Sequence, residues 1–403
     1  MSTTDLSALP GTGPALILGA GYAGLRLVHT LDRLARGKIP IVLVDRHPIH
    51  VLRTELYEVG KLSEGMGTGG RFALPLYRAL ENVHVEYREG EVQAIDLGRK
   101  IVTLGGAPVP YRALAICLGS VPAYYGVPGA KENTHMVYRL RAAQRLGTAL
   151  RDLERSSKSF APGRRPRVVV VGGGSTGTEV AAEIATVPWW RLVGRGARRP
   201  EVTLVSGTLP LLSGLPEGLI RHARTLLDRA GVVLVEGKNV TRVDRDRLVL
   251  EDGREIPFDI SVWAAGVQAP DLVRQLPVPH GRSGRVAVAP TLEIPGYPGV
   301  FGVGDVMELE DPDTHVIVPA MAQAALAEAV TAGENIAARW SGRPLKPFKY
   351  RERGAIVSVG LRAASGVTKY FTLWGRPAKL LKRAVEYEYS HAVERGDRPL
   401  VTR

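Results

Sequence analysis

The chain runs to 403 residues, 45% of them apolar, which gives room for two or three domains and an ordinary composition for a soluble globular protein. No run reaches the roughly 18 apolar residues that a spanning helix needs. The opening MSTTDLSALPGTGP has neither the basic start nor the apolar centre of a signal peptide, and a single cysteine, Cys117, excludes an intrachain disulfide and a redox-active dithiol pair. A cytoplasmic protein is expected. The net charge of +13 is concentrated at one end: residues 341–403 hold fourteen Lys and Arg against five Asp and Glu, and the rest is only mildly basic.

The rest is organised around residues 15–45, ALILGAGYAGLRLVHTLDRLARGKIPIVLVD. An apolar strand runs into G-x-G-x-x-G at Gly19, Gly21 and Gly24, then a helical pattern, then a second β-branched strand ending in Asp45. The first glycine permits the turn, the second lets the backbone approach a pyrophosphate, and the third lets helix and strand pack closely. N–H groups at the helix start then hold phosphates, and Asp45 stands where a carboxylate accepts from ribose hydroxyls. The pattern predicts a dinucleotide site rather than a plain strand–helix turn.

After an irregular stretch, HPIHVLRTELYEVGKLSEGMGTGG, a short helix is expected over 74–80. VHVEYREGEVQAID, KIVTLGG and PVPYRALAICLGS then read as a small antiparallel meander that returns to a buried strand over 113–118, ending at Gly119. The programme recurs. RVVVVGGGSTGTEVAAEIA repeats the strand, the glycine motif (Gly172, Gly174, Gly177) and the helix; EVTLVS is the second strand, and residues 231–266 repeat the meander and its closing Ala-Gly. Two copies of one nucleotide-binding unit most simply bring two dinucleotides face to face, as in a flavoprotein reduced by a nicotinamide. Residues 284–306 read as strand, loop, strand, with Asp305 just past the apolar 300–303 and an Ala-rich amphipathic helix after it. Alone, such an Asp is a turn or cap residue; after two glycine motifs it is placed to bond a ribityl chain.

GAGYAGL, HVLRTELYEVG, ALAICLGS with YYGVPGA, VVGGGSTGTEVAAEI, VWAAGV and VFGVGDV, in this order, resemble the type II NADH:quinone oxidoreductases over residues 15–340. The resemblance implies an α/β fold of two Rossmann-like dinucleotide-binding domains, each with an antiparallel meander, plus a basic amphipathic C-terminal region. It divides the chain into an FAD domain in two parts, 12–130 and 267–340, an NAD(P)H domain over 131–266, and a region over 341–403 that contacts membrane or a second subunit. It also implies hydride transfer from NADH or NADPH to FAD, and onward reduction of a quinone of the menaquinone or ubiquinone type. The FAD positions would be Gly19, Gly21, Tyr22, Ala23, Gly24, Asp45, Arg46, Val92, Gly119, Gly304 and Asp305. The nicotinamide positions would be Gly172, Gly174, Thr176, Gly177, Glu179, Ser206 and Gly266. Glu179 and Gln323 carry over as the catalytic pair, Glu179 near nicotinamide and flavin and Gln323 as the first glutamine of the quinone-side motif. Taken alone, Glu179 is also a carboxylate favoured in a helix's first turn.

Two positions depart from the family. Ser206 stands where NADH enzymes usually carry an acid, which admits a 2′-phosphate and keeps NADPH open; Arg198 and Arg199 lie roughly 13 to 17 Å from the cofactor end. Ala327 replaces the second quinone-side glutamine, with Glu328 after it. A protein or small-molecule acceptor, or a non-catalytic flavin-binding regulator, therefore stays in view.

In the tail, Tyr370, Leu373, Trp374, Leu380, Leu381, Ala384 and Val385 fall at helical spacing with Lys369, Arg376, Lys379, Lys382 and Arg383 interleaved, and Pro377 is expected to divide two short helices. Such a stripe suits peripheral attachment to the inner face of the cell membrane; packing on the body or in a homodimer is the alternative. No nucleic-acid module and no clustering of the nine histidines is present, so neither nucleic acid nor metal is expected. Cys117 reads as core, and Trp189 and Trp190 as a local cap rather than a partner contact.

Overall fold

A computed structural model of the protein describes residues 13–62, 72–312, 314–368 and 371–395. A five-stranded parallel sheet is ordered Val300–Gly302, Ala113–Ile116, Ala15–Leu18, Ile41–Asp45, Glu86–Glu89. Its three middle strands carry buried aliphatic runs, packed in one core with helix Tyr22–Ala35 and with residues such as Val102 and Val109. Helix Tyr22–Ala35 crosses between the two central strands, and helix Ala322–Trp340 lies against it. The approach is close: a Cβ on Gly333 would lie 2.9 Å from Thr30 Cγ2.

The second parallel sheet is ordered Val232–Glu236, Glu201–Ser206, Arg167–Val171, Ile260–Trp263, with helix Ser175–Thr186 after its first strand. The chain passes from one sheet to the other and back through an antiparallel pair, Val121–Pro122 with Val267–Gln268. Three-stranded meanders start at Val92–Asp96 and Val240–Val243.

Three expectations are corrected. Glu86–Glu89 and Val232–Glu236 were expected in the meanders but are edge strands of the parallel sheets, paired with Ile41–Asp45 and Glu201–Ser206. An edge strand is half exposed and alternates like a hairpin strand, so periodicity does not separate the two. The helix expected over 74–80 is a single turn, Leu76–Ala79, behind strand Ala73–Pro75. The tail is not two amphipathic helices. Leu373 and Trp374 lie in strand Thr372–Gly375, the last of an antiparallel sheet with Gly354–Ser358 and Ala364–Thr368. Gly375, at φ +72°, reverses the chain into one helix, Arg376–Arg395. Pro377 sits in its first turn, where the missing N–H costs nothing, so it opens the helix. Lys369 and Tyr370 lie outside the described residues.

The C-terminal helix straddles both units. Lys379 and Lys382, expected on a solvent-facing basic face, are buried against the second, and Tyr389 and Val393 join the core of the first. Leu380 and Tyr387 face outward, as does Arg383. No helix among the described residues is long and apolar enough to cross a membrane.

Candidate functional site

The first glycine turn is held by contacts that leave no alternative residue. Gly19 has φ +102°, and a Cβ on it would meet the Cys117 carbonyl oxygen at 2.5 Å. One on Gly24 would meet the Gly19 carbonyl oxygen at 1.8 Å, whereas over Gly21 nothing lies within 4 Å. The surface over Gly21 is therefore open, and the start of helix Tyr22–Ala35 beside it is of the kind that accepts an anionic group. Asp45 is first an architectural tie, its Oδ2 accepting from Ala20 N–H (2.7 Å) and its Oδ1 from His47 N–H (2.9 Å). Each oxygen keeps acceptor capacity for a ribose. Arg46 pairs with Glu91 at 3.2 Å, which places Val92 at the same end. Tyr22 bonds Thr54 through its hydroxyl (2.9 Å), and Ala23 Cβ lies 3.2 Å from where Gly304 would carry its own.

Asp305 arrives beside this turn from the far edge of the sheet. It caps no helix; Ser120, next to Gly119 (φ +66°), donates to its Oδ2 at 2.8 Å. Ser120 also bonds Tyr138 (2.5 Å), over whose ring Arg53 stands at 4.6 Å. Gly304 N–H donates to Glu328 Oε2 at 2.7 Å, and burial pushes that carboxyl up to about 8. Gln323 Nε2, in the first turn of helix Ala322–Trp340, is buried with no hydrogen-bond partner within the protein. Cys117 is buried, and burial pushes its thiol far up, which removes it as a nucleophile.

The second turn repeats the backbone. A Cβ on Gly172 would lie 2.3 Å from the Ala264 carbonyl oxygen and one on Gly177 1.9 Å from that of Gly172, while Gly174 is open. Thr176 and Glu179 lie on helix Ser175–Thr186, and Gly266 (φ +142°) lies under the Tyr125 hydroxyl. The side chains differ. Ser206 is buried, and its hydroxyl donates to the Thr208 carbonyl (2.8 Å). The nearest acid, Glu236 on the neighbouring strand, is taken by Leu211 N–H (2.8 Å) and Arg224 (2.7 Å). Arg198 donates to the carbonyls of Ala161 (2.7 Å) and Arg164 (2.6 Å), and Arg199 to those of Ala185 (2.7 Å) and Ala230. Both arginines are committed to the protein. Trp189 is buried, its Nε1 bonded to the Ile184 carbonyl at 3.0 Å, a local cap.

Glu179 has partners that the sequence did not reveal. Its Oε1 accepts from Ser358 N–H at 3.0 Å and from Lys382 Nζ of the C-terminal helix, a buried ion pair. Lys379 reaches Ser358 Oγ and the Tyr57 hydroxyl (3.4 Å), and burial lowers it to about 8. Glu386, 3.9 Å from Lys382, is raised by burial to about 7. The available signal was spacing: Lys379, Lys382 and Glu386 follow i, i+3, i+7, one face of a helix.

Comparison with known proteins settles the family. The model of the pyridine nucleotide-disulphide oxidoreductases matches residues 14–329. The type II NADH:quinone oxidoreductase Ndh of Mycobacterium tuberculosis is 32% identical over 85% of this chain and 77% of its own length. The chain belongs to the type II NADH:quinone oxidoreductase family. Demethylphylloquinone reductase NdbB of Synechocystis is 30% identical, covering 93% of this chain and 91% of its own. The NDH2 of Plasmodium falciparum, solved in complex with NADH, superposes with a TM-score of 0.82 over 96% of each chain at 14% identity, a likeness of fold.

As a member of that family the chain is an oxidoreductase using FAD and a nicotinamide nucleotide. The residues fit FAD: the turn at Gly21 is open, Asp45 and Asp305 flank it, and the unpaired Gln323 amide awaits an acceptor. Disulphide chemistry, part of the wider family's name, has no dithiol in this chain.

Proposed function

We propose that this chain passes electrons from NADH to a membrane quinone, with residues 12–130 and 267–340 holding FAD, 131–266 taking the nicotinamide, and 341–403 resting on the inner face of the membrane. The observation that carries this reading is the presence of two open glycine turns together with the unpaired Gln323 amide on the helix that follows Asp305. Bound FAD supplies hydride acceptance from the nicotinamide and two-electron delivery to the quinone. The chain supplies position. Asp45 and Asp305 orient the two halves of the cofactor, and Glu179, fixed by Lys382, orients the nicotinamide. Gln323 Nε2 donates to the acceptor side. Glu328 does not replace the amide missing at Ala327, because its carboxyl is buried and bonded to Gly304.

NADH is favoured over NADPH because Arg198 and Arg199 are committed to backbone carbonyls. Membrane contact is supported by exposed Phe371, Trp374, Leu380 and Tyr387 beside exposed Arg376 and Arg383. Each such cation near an anionic surface adds about 1 kcal/mol. The test is anaerobic: the yellow holoprotein bleaches faster with NADH than with NADPH and regains colour on adding a menaquinone or ubiquinone analogue. Bleaching without recolouring by any quinone would exclude the quinone as acceptor.

A further inference from the structure

The C-terminal helix reaches the first glycine turn through a route that neither electron transfer nor membrane contact uses. His50 Nδ1 lies 3.1 Å from the carbonyl oxygen of Ala20, the residue between Gly19 and Gly21. A carbonyl only accepts, so Nδ1 carries the proton and Nε2 is left as an acceptor. Tyr389 meets that nitrogen at 3.0 Å and donates to it. Both side chains are buried. Since Asp45 takes the Ala20 N–H at 2.7 Å, the turn is tied from both sides, by Asp45 of its own sheet and by the C-terminal helix. The Tyr389 ring also stacks on Tyr22 at 4.8 Å, and Tyr22 meets the His50 ring edge-on at 5.1 Å. Tyr22 opens the helix whose N–H groups face the diphosphate. A phenylalanine at 389 would fill the same space, so the hydroxyl is present for His50 and not for packing.

Resting on the assignment of FAD to the first turn, we infer that Tyr389, acting through His50 and Tyr22, positions the diphosphate-binding turn, so that the C-terminal helix is the clasp that retains FAD. These are positioning residues. Lys382, two turns earlier on the same helix, holds Glu179 in the other unit and does not touch this turn.

The experiment measures FAD release from the holoprotein, read as recovery of free-flavin fluorescence on dilution, beside the melting temperature of the apoprotein. Tyr389→Phe accelerates release about tenfold, the effect of losing one buried hydrogen bond, and lowers the apoprotein melting temperature only by the small amount that the same bond is worth to the fold. His50→Gln, which leaves the helix's own side chains in place, accelerates release as well. Leu380→Ala, on the exposed face of the helix, leaves it within twofold. Unchanged release from both Tyr389→Phe and His50→Gln overturns the inference; so does acceleration by Leu380→Ala equal to that of Tyr389→Phe, which would assign the effect to general helix packing. A wild-type protein that cannot be loaded with FAD would sink the underlying assignment instead, and the two failures are told apart by colour before any variant is made.

Discussion

The two glycine turns share one backbone and are braced by different means. In the first, the middle residue of the G-x-G, Ala20, gives its N–H to a carboxylate and its carbonyl to an imidazole. In the second, the equivalent Gly173 has its carbonyl taken by Leu212 N–H at 2.7 Å, and the position corresponding to Asp45 is a buried serine bonded to its own loop. A turn whose peptide is fixed by side chains from distant segments is preorganised for a cofactor that stays. A turn met by a backbone N–H of the loop after the second strand, with a serine in place of the acid, suits a substrate that must leave each cycle. What the repeat preserves is the steric core of the motif; what has diverged is the layer behind it.

The largest expected effect breaks that comparison open. Gly24→Ala and Gly177→Ala put nearly the same methyl into nearly the same carbonyl, at 1.8 and 1.9 Å. The first should purify colourless or lose FAD more than a hundredfold faster. The second should stay yellow but bleach with NADH at least a hundredfold more slowly; if both lose colour, the division of labour between the turns is wrong. Next comes Lys382→Met, which strands the Glu179 carboxylate in a buried site and should cost about 3–5 kcal/mol in urea unfolding. Adding Glu179→Gln should recover much of that loss, which makes the pair a double-mutant cycle across the two units.

A smaller effect concerns pH. Burial raises the Glu328 carboxyl from the usual 4.5 to about 8, with the Gly304 N–H opposing. Between those values the native state binds the proton and the unfolded chain does not, so stability falls as pH climbs through that window. Glu328→Gln should flatten the decline in the denaturation midpoint between pH 5 and pH 8; an unchanged slope would place the titration elsewhere. The smallest is Arg199→Gln, which uncaps two carbonyls and should cost about 1–2 kcal/mol of stability. The Michaelis constant for NADPH should stay within twofold, since this arginine is committed away from the nucleotide.

What could be read from the sequence, and what could not, follows from how far each constraint travels along the chain. The glycine turns are local, and Gly24 or Gly177 leaves its mark because no side chain fits there. Asp45 stands out by its distance from the motif, but its bond to Ala20 leaves no mark in the sequence. Glu86–Glu89 was misplaced because alternation has the same period in a hairpin and at a parallel edge. Pro377 looks like a break in sequence, because only the preceding strand and Gly375 show that the helix begins there. Glu179 with Lys382 and His50 with Tyr389 lay beyond reach, since hundreds of residues separate each pair and either partner alone looks like an ordinary surface charge or aromatic.

The interleaving of the two sheets sets an order of assembly on the ribosome. Every strand of the second sheet lies between Arg167 and Trp263, while the first lacks its edge strand until Gly302 emerges and its covering helix until Trp340. Translation therefore completes the second sheet first, and the first one waits, half built, for its own final segments. Cofactor loading is then a closing act of synthesis.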